Sequence, residues 1–271
     1  MKTGVVLGYD ANLRENFKWC LENDIPTCQL SVAPELQTEA EAANILAIQK
    51  EYPVEITALV GTWSGPAEWN VTYGPETLGI VPVAYRAGRV KELLQCARFA
   101  NMLGVGDMCT HVGFIPENPR EPLYTETVAV IRYLAREYKA LGVRFNMETG
   151  QETALTLLRV IEDVGMDNLG LNFDPANLIL YGKSNPIDAL GMVGKYINGV
   201  HAKDGNYPTT GMGLGEETPL GAGSVNIPAF IAKLAEIGYN GPVTIEREIE
   251  GDKQKEDIAA ANKLLLGLFG Q

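Results

Sequence analysis

Histidine is almost missing from this chain: His111 and His201 are the only two among 271 residues. Any centre built from three or more imidazoles is thereby excluded. Basic residues are scarce as well, with 22 Lys and Arg against 34 Asp and Glu and a formal net charge of -12. Phosphate backbones are gripped by clustered Lys and Arg, so nucleic acid is excluded as the main partner. No apolar run approaches the roughly 18 residues that suggest a membrane span. The opening stretch MKTGVVLGYDANLRENF meets charged residues too early for a signal peptide. The expectation is a cytoplasmic protein with no membrane partner. The four cysteines, Cys20, Cys28, Cys96 and Cys109, lack CxxC spacing and sit mostly in apolar segments. They read as buried, reduced thiols. No low-complexity stretch, charged tail or linker divides the sequence, and its hydrophobic fraction of 46% supports a sizeable core. Residues 1–271 therefore read as one domain.

What is present is an alternation of short apolar runs with longer amphipathic stretches. The runs at residues 2–9, 25–31, 54–61, 105–114, 143–148, 169–174, 197–202 and 242–247 read as strands. Between them, Val128, Ile131, Leu134, Tyr138 and Leu141 recur at helical spacing. So do Leu155, Leu158, Ile161 and Val164, ahead of a stop at Gly165. Ile227, Phe230, Ile231, Leu234 and Ile237 mark another helix, with Pro228 in its first turn. A last helix spans about residues 252–268. Strands and helices alternating in this number predict an α/β fold, the (β/α)8 TIM barrel. A doubly wound open sheet usually carries a glycine-rich turn after its first strand, and Gly8-Tyr9-Asp10-Ala11-Asn12 is not one. The long segments 62–81 and 203–225 follow strands, so they belong at the carboxyl-end rim where barrels keep their chemistry.

Four consecutive strands end in one metal-competent side chain each. Period-two alternation puts Phe145, Met147, Leu171, Phe173, Val200, Val243 and Ile245 toward the helices. Glu148, Asp174, His201 and Glu246 then share the opposite phase, toward the barrel axis. Three converging carboxylates repel unless protonated or joined by a cation. Three oxygen donors and one nitrogen suit an octahedral ion, Mn²⁺ first, with Co²⁺, Mg²⁺ or Zn²⁺ as alternatives. A closed structural zinc site would favour cysteine, and none lies beside these four.

Several segments carry a family likeness: Met147-Glu148-Thr149-Gly150-Gln151, Asn172-Phe173-Asp174-Pro175-Ala176-Asn177, Val200-His201-Ala202-Lys203-Asp204, and PLGAGSVNIPAFIAKLAEIGYNGPVTIE from Pro219 to Glu246. With these the chain resembles the xylose isomerase-like barrels, in their sugar phosphate isomerase/epimerase branch. The likeness is firm over roughly residues 105–250. It implies one divalent metal, often Mn²⁺, held by Glu148, Asp174, His201 and Glu246, with Glu148 and Glu246 also acting as the acid/base pair. The implied reaction is isomerisation or epimerisation of a sugar or sugar phosphate, by proton transfer beside a carbonyl through an enediolate whose oxygens the metal holds. A dehydratase of an inosose- or keto-sugar-like substrate is the nearest alternative. A non-catalytic metal- or ligand-binding barrel ranks below it. A phosphodiester hydrolase of the same fold would need about five imidazoles, which two histidines cannot supply. Dimers or tetramers are common in the family.

Around these four, further residues are candidates for substrate contact. His111 ends the fourth strand and points to the same cavity. Lys203 shares the phase of His201 and either meets substrate or pairs with Glu246 or Glu248. Gln151 and Glu152 either contact sugar hydroxyls or serve the helix that follows. Trp63 is assigned as an apolar wall from its loop position. Asn177 stands where ketose 3-epimerases of the family have histidine, and Tyr207 where they have arginine, so their grip on a free ketose does not carry over. The turn Gly221-Ala222-Gly223-Ser224 either presents N–H groups to a phosphate or simply positions the next helix.

Overall fold

A computed structural model of the chain describes residues 1–270. Its strands are β1 (Lys2–Gly8), β2 (Thr27–Ser31), β3 (Glu55–Val60), β4 (Asp107–Thr110), β5 (Arg144–Glu148), β6 (Leu169–Phe173), β7 (Ile197–Ala202), β8 (Asp204–Asn206), β9 (Glu216–Thr218) and β10 (Pro242–Ile245). Its helices are α1 (Leu13–Glu22), α2 (Glu39–Glu51), α3 (Gly74–Thr77), α4 (Val83–Leu103), α5 (Pro122–Ala140), α6 (Ala154–Val164), α7 (Pro175–Leu180), α8 (Pro186–Val193), α9 (Ile227–Glu236) and α10 (Asp252–Phe269). Eight strands close a barrel in the order β1-β10-β7-β6-β5-β4-β3-β2, and every pair within it is parallel. This is the expected TIM barrel. The remaining strands, β8 and β9, form a small antiparallel ribbon inside the long 203–225 segment.

The two faces of each barrel strand divide as the alternation requires. Outward residues pack under the helices: Phe145 meets Tyr138 of α5 edge-on at 5.2 Å, and Phe173 stacks on Phe230 of α9 at 5.9 Å between centroids. Inward residues are polar; Gln29, Asn146, Asn172, His201 and Thr244 are all buried. A cavity of about 670 Å³ opens at the amino ends of the strands. Its polar groups largely satisfy one another, with Arg144 on Asp107 at 2.6 Å and Asn198 on Asn146 at 2.7 Å. The barrel interior is thus a hydrogen-bonded column rather than an oily plug.

Two local expectations shift. The fourth strand stops at Thr110, not at Phe114, because the chain turns away to pair Val112 with Ile80. Gly79 and Gly113, with φ of 69° and 98°, make that crossing possible, since a Cβ on either would strike the backbone of the other segment. In α6 the buried face is Leu157, Val160, Ile161 and Val164, whereas Leu155 is 52% exposed. The expected stop is observed, with Gly165 closing the helix at φ 66°. The four cysteines are buried and free. Among the described residues no helix is long and apolar enough to cross a membrane.

Candidate metal and active site

Each of the four carboxyl-end residues is placed by its strand. Glu148 is the last residue of β5, Asp174 follows β6, His201 lies within β7 and Glu246 follows β10. Asp174 also caps α7, where its Oδ1 accepts the Asn177 N–H at 2.8 Å. Thr149 fixes its backbone, with Oγ1 donating to the Asp174 carbonyl at 2.7 Å and accepting its N–H at 2.8 Å. One donor atom from each of Glu148, Asp174, His201 and Glu246 lies within 4.8 Å of the others, so the four form a cluster able to hold a metal ion.

The donor set fits a cation on its own evidence. His201 Nδ1 stands 3.2 Å from Glu148, 3.4 Å from Asp174 and 3.3 Å from Glu246, yet makes a proper hydrogen bond with none. Asp174 Oδ2 is also buried without a hydrogen-bond partner. Buried polar atoms are rarely left so, and a bound ion is one of the ordinary reasons. On the far side of the ring, Nε2 lies 2.8 Å from Gln29 Oε1 and 2.9 Å from the Asn172 amide. Gln29 presents an acceptor to Nε2 and Asn172 its Nδ2 donor; with a cation on Nδ1 the ring proton would sit on Nε2, where Gln29 Oε1 accepts it. Burial opposes charge on His201, but Glu246 and Glu148 hold its pKa well above the ordinary imidazole range. The cluster calls for positive charge at its centre.

His111, Asn177 and Lys203 surround this cluster. His111 Nε2 is 3.4 Å from Glu148, and its Nδ1 faces Gln151 Oε1 at 3.2 Å. Burial lowers its affinity for a proton, but the Glu148 carboxylate outweighs this and raises the pKa to about 9. Burial likewise disfavours charge on Glu148, yet His111 and His201 bring its pKa down to about 2. The Asn177 amide donates to Glu148 at 3.4 Å, and its oxygen accepts from Lys203 at 3.2 Å. Lys203 is only 1% exposed and also reaches Glu246 at 2.9 Å, Glu248 at 3.1 Å and Asp174 at 3.8 Å. Of its two expected roles, the geometry is that of an ion pair.

A cleft of about 250 Å³ above the cluster is lined by Trp69, His111, Asn177, Leu180, Tyr181, Leu214 and Glu248. Trp63, expected there, is elsewhere: its ring lies 5.3 Å from the guanidinium of Arg89. Arg89 is buried and donates to the carbonyls of Thr77, Gly79 and Pro66, which rivets the 62–81 segment to α4. That segment delivers Trp69 instead, edge-on to His111 at 4.9 Å. Gln151 meets His111, while its Nε2 is buried and unpaired.

Glu152 is buried just before α6, and neither carboxylate oxygen has a hydrogen-bond partner. Burial pushes its pKa from the ordinary 4.5 up to about 8. A raised carboxyl contributes stability that is full below pH 4.5 and lost as pH rises through about 8. Glu152→Gln should therefore melt with the wild type at pH 4.5 and ~5–10 °C above it at pH 9, by thermal unfolding. Equal midpoints at both pH values would show that Glu152 does not carry this penalty.

The family model of the xylose isomerase-like TIM barrel matches residues 22–266, and the protein belongs to that family. A xylose isomerase domain protein from Planctomyces limnophilus superposes with a TM-score of 0.92 at 39% identity, covering 98% of this chain and 96% of that one. A D-tagatose 3-epimerase-like protein gives a TM-score of 0.76 at 20% identity, covering 100% and 97%, a likeness of fold. The uncharacterized protein MJ1311 of Methanocaldococcus jannaschii is 28% identical over 151 residues, 51% of this chain and 49% of that protein. The match thus spans about half the length of that curated relative.

Proposed function

We propose that the protein is a divalent-metal-dependent isomerase or epimerase of a sugar or sugar phosphate, acting by proton transfer at the carbon beside a carbonyl. The observation that carries this reading is that His201 Nδ1 faces three carboxylates at 3.2–3.4 Å, without a hydrogen bond to any, beneath a small cleft. Glu148, Asp174, His201 and Glu246 would hold the ion, and three oxygen donors with one nitrogen favour Mn²⁺. Bound there, it would supply Lewis acidity toward a carbonyl oxygen. The protein's own groups do the rest. Glu148 stays ionised at neutral pH, ready to accept a proton, and Glu246 is the more open carboxylate at 17% exposed. They come from β5 and from the end of β10, with β7 and β6 between them in the ring, a separation that would let them act on different faces of a substrate as an acid/base pair. His111, oriented by Gln151, lines the cleft and would offer a ring N–H to an oxyanion developing there.

The test is incubation of keto-sugars and their phosphates with the Mn²⁺-loaded protein in D₂O. Deuterium should enter the carbon beside the carbonyl, whereas a product lacking water would identify a dehydratase. Absence of exchange across a broad panel would falsify the proton-transfer reading.

Gln29 has a part in the same proposal. Outer partners of a ligating imidazole fix its tautomer and orientation. Gln29→Leu removes the acceptor and keeps the bulk, so Mn²⁺ affinity by calorimetric titration should fall roughly 10–100-fold. An unchanged affinity would show that the ring is oriented without it.

A further inference from the structure

The turn 221–224 sits after the seventh barrel strand, where barrels frequently bind phosphate on backbone N–H groups. Here those donors are already engaged. The Asp204 carboxylate is buried and accepts from the N–H groups of Gly205 at 2.9 Å, Gly221 at 2.9 Å, Gly223 at 3.0 Å and Val225 at 3.1 Å. Gly221 takes a φ of 89°, and a Cβ on Gly223 would run into the same carboxylate. An internal anion fills the nest that a phosphate would need.

The cations near the cleft are engaged too. Lys203 is buried among Glu246, Glu248, Asp174 and Asn177. Arg247 is held by Glu217 at 2.8 Å and Asp257 at 3.0 Å. Among the residues lining the cleft, His111 is the sole basic side chain, and it faces Glu148. Glu248, with a side chain 60% exposed, puts negative charge at the mouth. Besides the Asn177 amide, the remaining walls, Trp69, Leu180, Tyr181 and Leu214, are apolar or aromatic surfaces that suit the C–H face of a polyol.

From this we infer that the cleft takes an uncharged polyhydroxy ketone and rejects analogues bearing phosphate or carboxylate, with Glu248 as a specificity-determining residue. The inference rests on the proton-transfer reading and narrows its substrate class. A dianion at the mouth would be desolvated beside Glu248 with no free basic side chain to meet it, a like-charge juxtaposition that disfavours binding.

Matched pairs test it: D-fructose with D-fructose 6-phosphate, and D-xylulose with D-xylulose 5-phosphate. Two readouts are taken on the Mn²⁺-loaded protein, saturable quenching of tryptophan fluorescence and deuterium uptake from D₂O. The neutral member of each pair should bind about 100-fold more tightly, and Glu248→Gln should narrow that ratio about tenfold. A phosphorylated member that binds as well as its parent overturns the inference, as does a panel in which no member binds. Neutral members that bind without exchanging deuterium support the substrate class and overturn only the proton-transfer reading. A ratio unmoved in Glu248→Gln removes Glu248 from the account.

Discussion

Glu246→Gln should lower deuterium exchange by roughly 10³-fold, the scale of a lost general acid or base. The side chain keeps its length and one oxygen but can no longer take up a proton. In the native site its carboxylate lies 2.9 Å from Lys203 and 3.3 Å from His201 Nδ1. Burial opposes its charge, yet Lys203 and His201 hold its pKa well below the ordinary range. A variant that bound Mn²⁺ normally and lost exchange would separate proton transfer from ion binding. Retained exchange would move the role to another residue. The comparison therefore needs both readouts, metal titration and deuterium uptake, on the same preparation.

The second large effect concerns stability. Lys203→Met should destabilise the protein by about 3–5 kcal/mol, because it strips a buried ammonium from carboxylates that stay behind. The midpoint of thermal unfolding would drop by roughly 10 °C. Asp174 and Glu246 are the groups left exposed to mutual repulsion, since both lie within 3.8 Å of the Lys203 nitrogen. Added Mn²⁺ should close much of the gap between variant and wild type, as a divalent ion replaces the missing charge. A gap of the same size with and without Mn²⁺ would mean that Lys203 acts by packing rather than by charge.

The main frame of the site was legible because barrel strands are short, parallel and apolar on one face. Period two therefore assigns every inward residue once a few outward ones are known, and Glu148, Asp174, His201 and Glu246 fall into place together. Gln29 was not singled out, although a lone amide within the apolar run 25–31 is a signal of the same kind. It carries no metal-binding chemistry by itself, and its importance comes from a partner 172 residues away. Trp63 stands away from the cleft for a different reason. A loop has no period, so nothing local distinguishes Trp63 from Trp69. The deciding residue is Arg89, which sits on α4 and captures the loop carbonyls from outside the segment. The turn at 221–224 was legible as an anion nest, but its occupant, Asp204, lies seventeen residues before Gly221.

The contact between Gln29 and His201 ties the two halves of the chain together. All four donors of the cluster come from β5 onward, while Gln29 belongs to β2. Asn172 of β6 reaches the imidazole from the same half as the donors, but the Gln29 acceptor is in place only when β2 has taken its position in the ring between β1 and β3. A fragment holding every donor would still be a half-built centre. Completion of the centre is coupled to closure of the barrel, so ion affinity becomes a gauge of whether the circle of strands is intact.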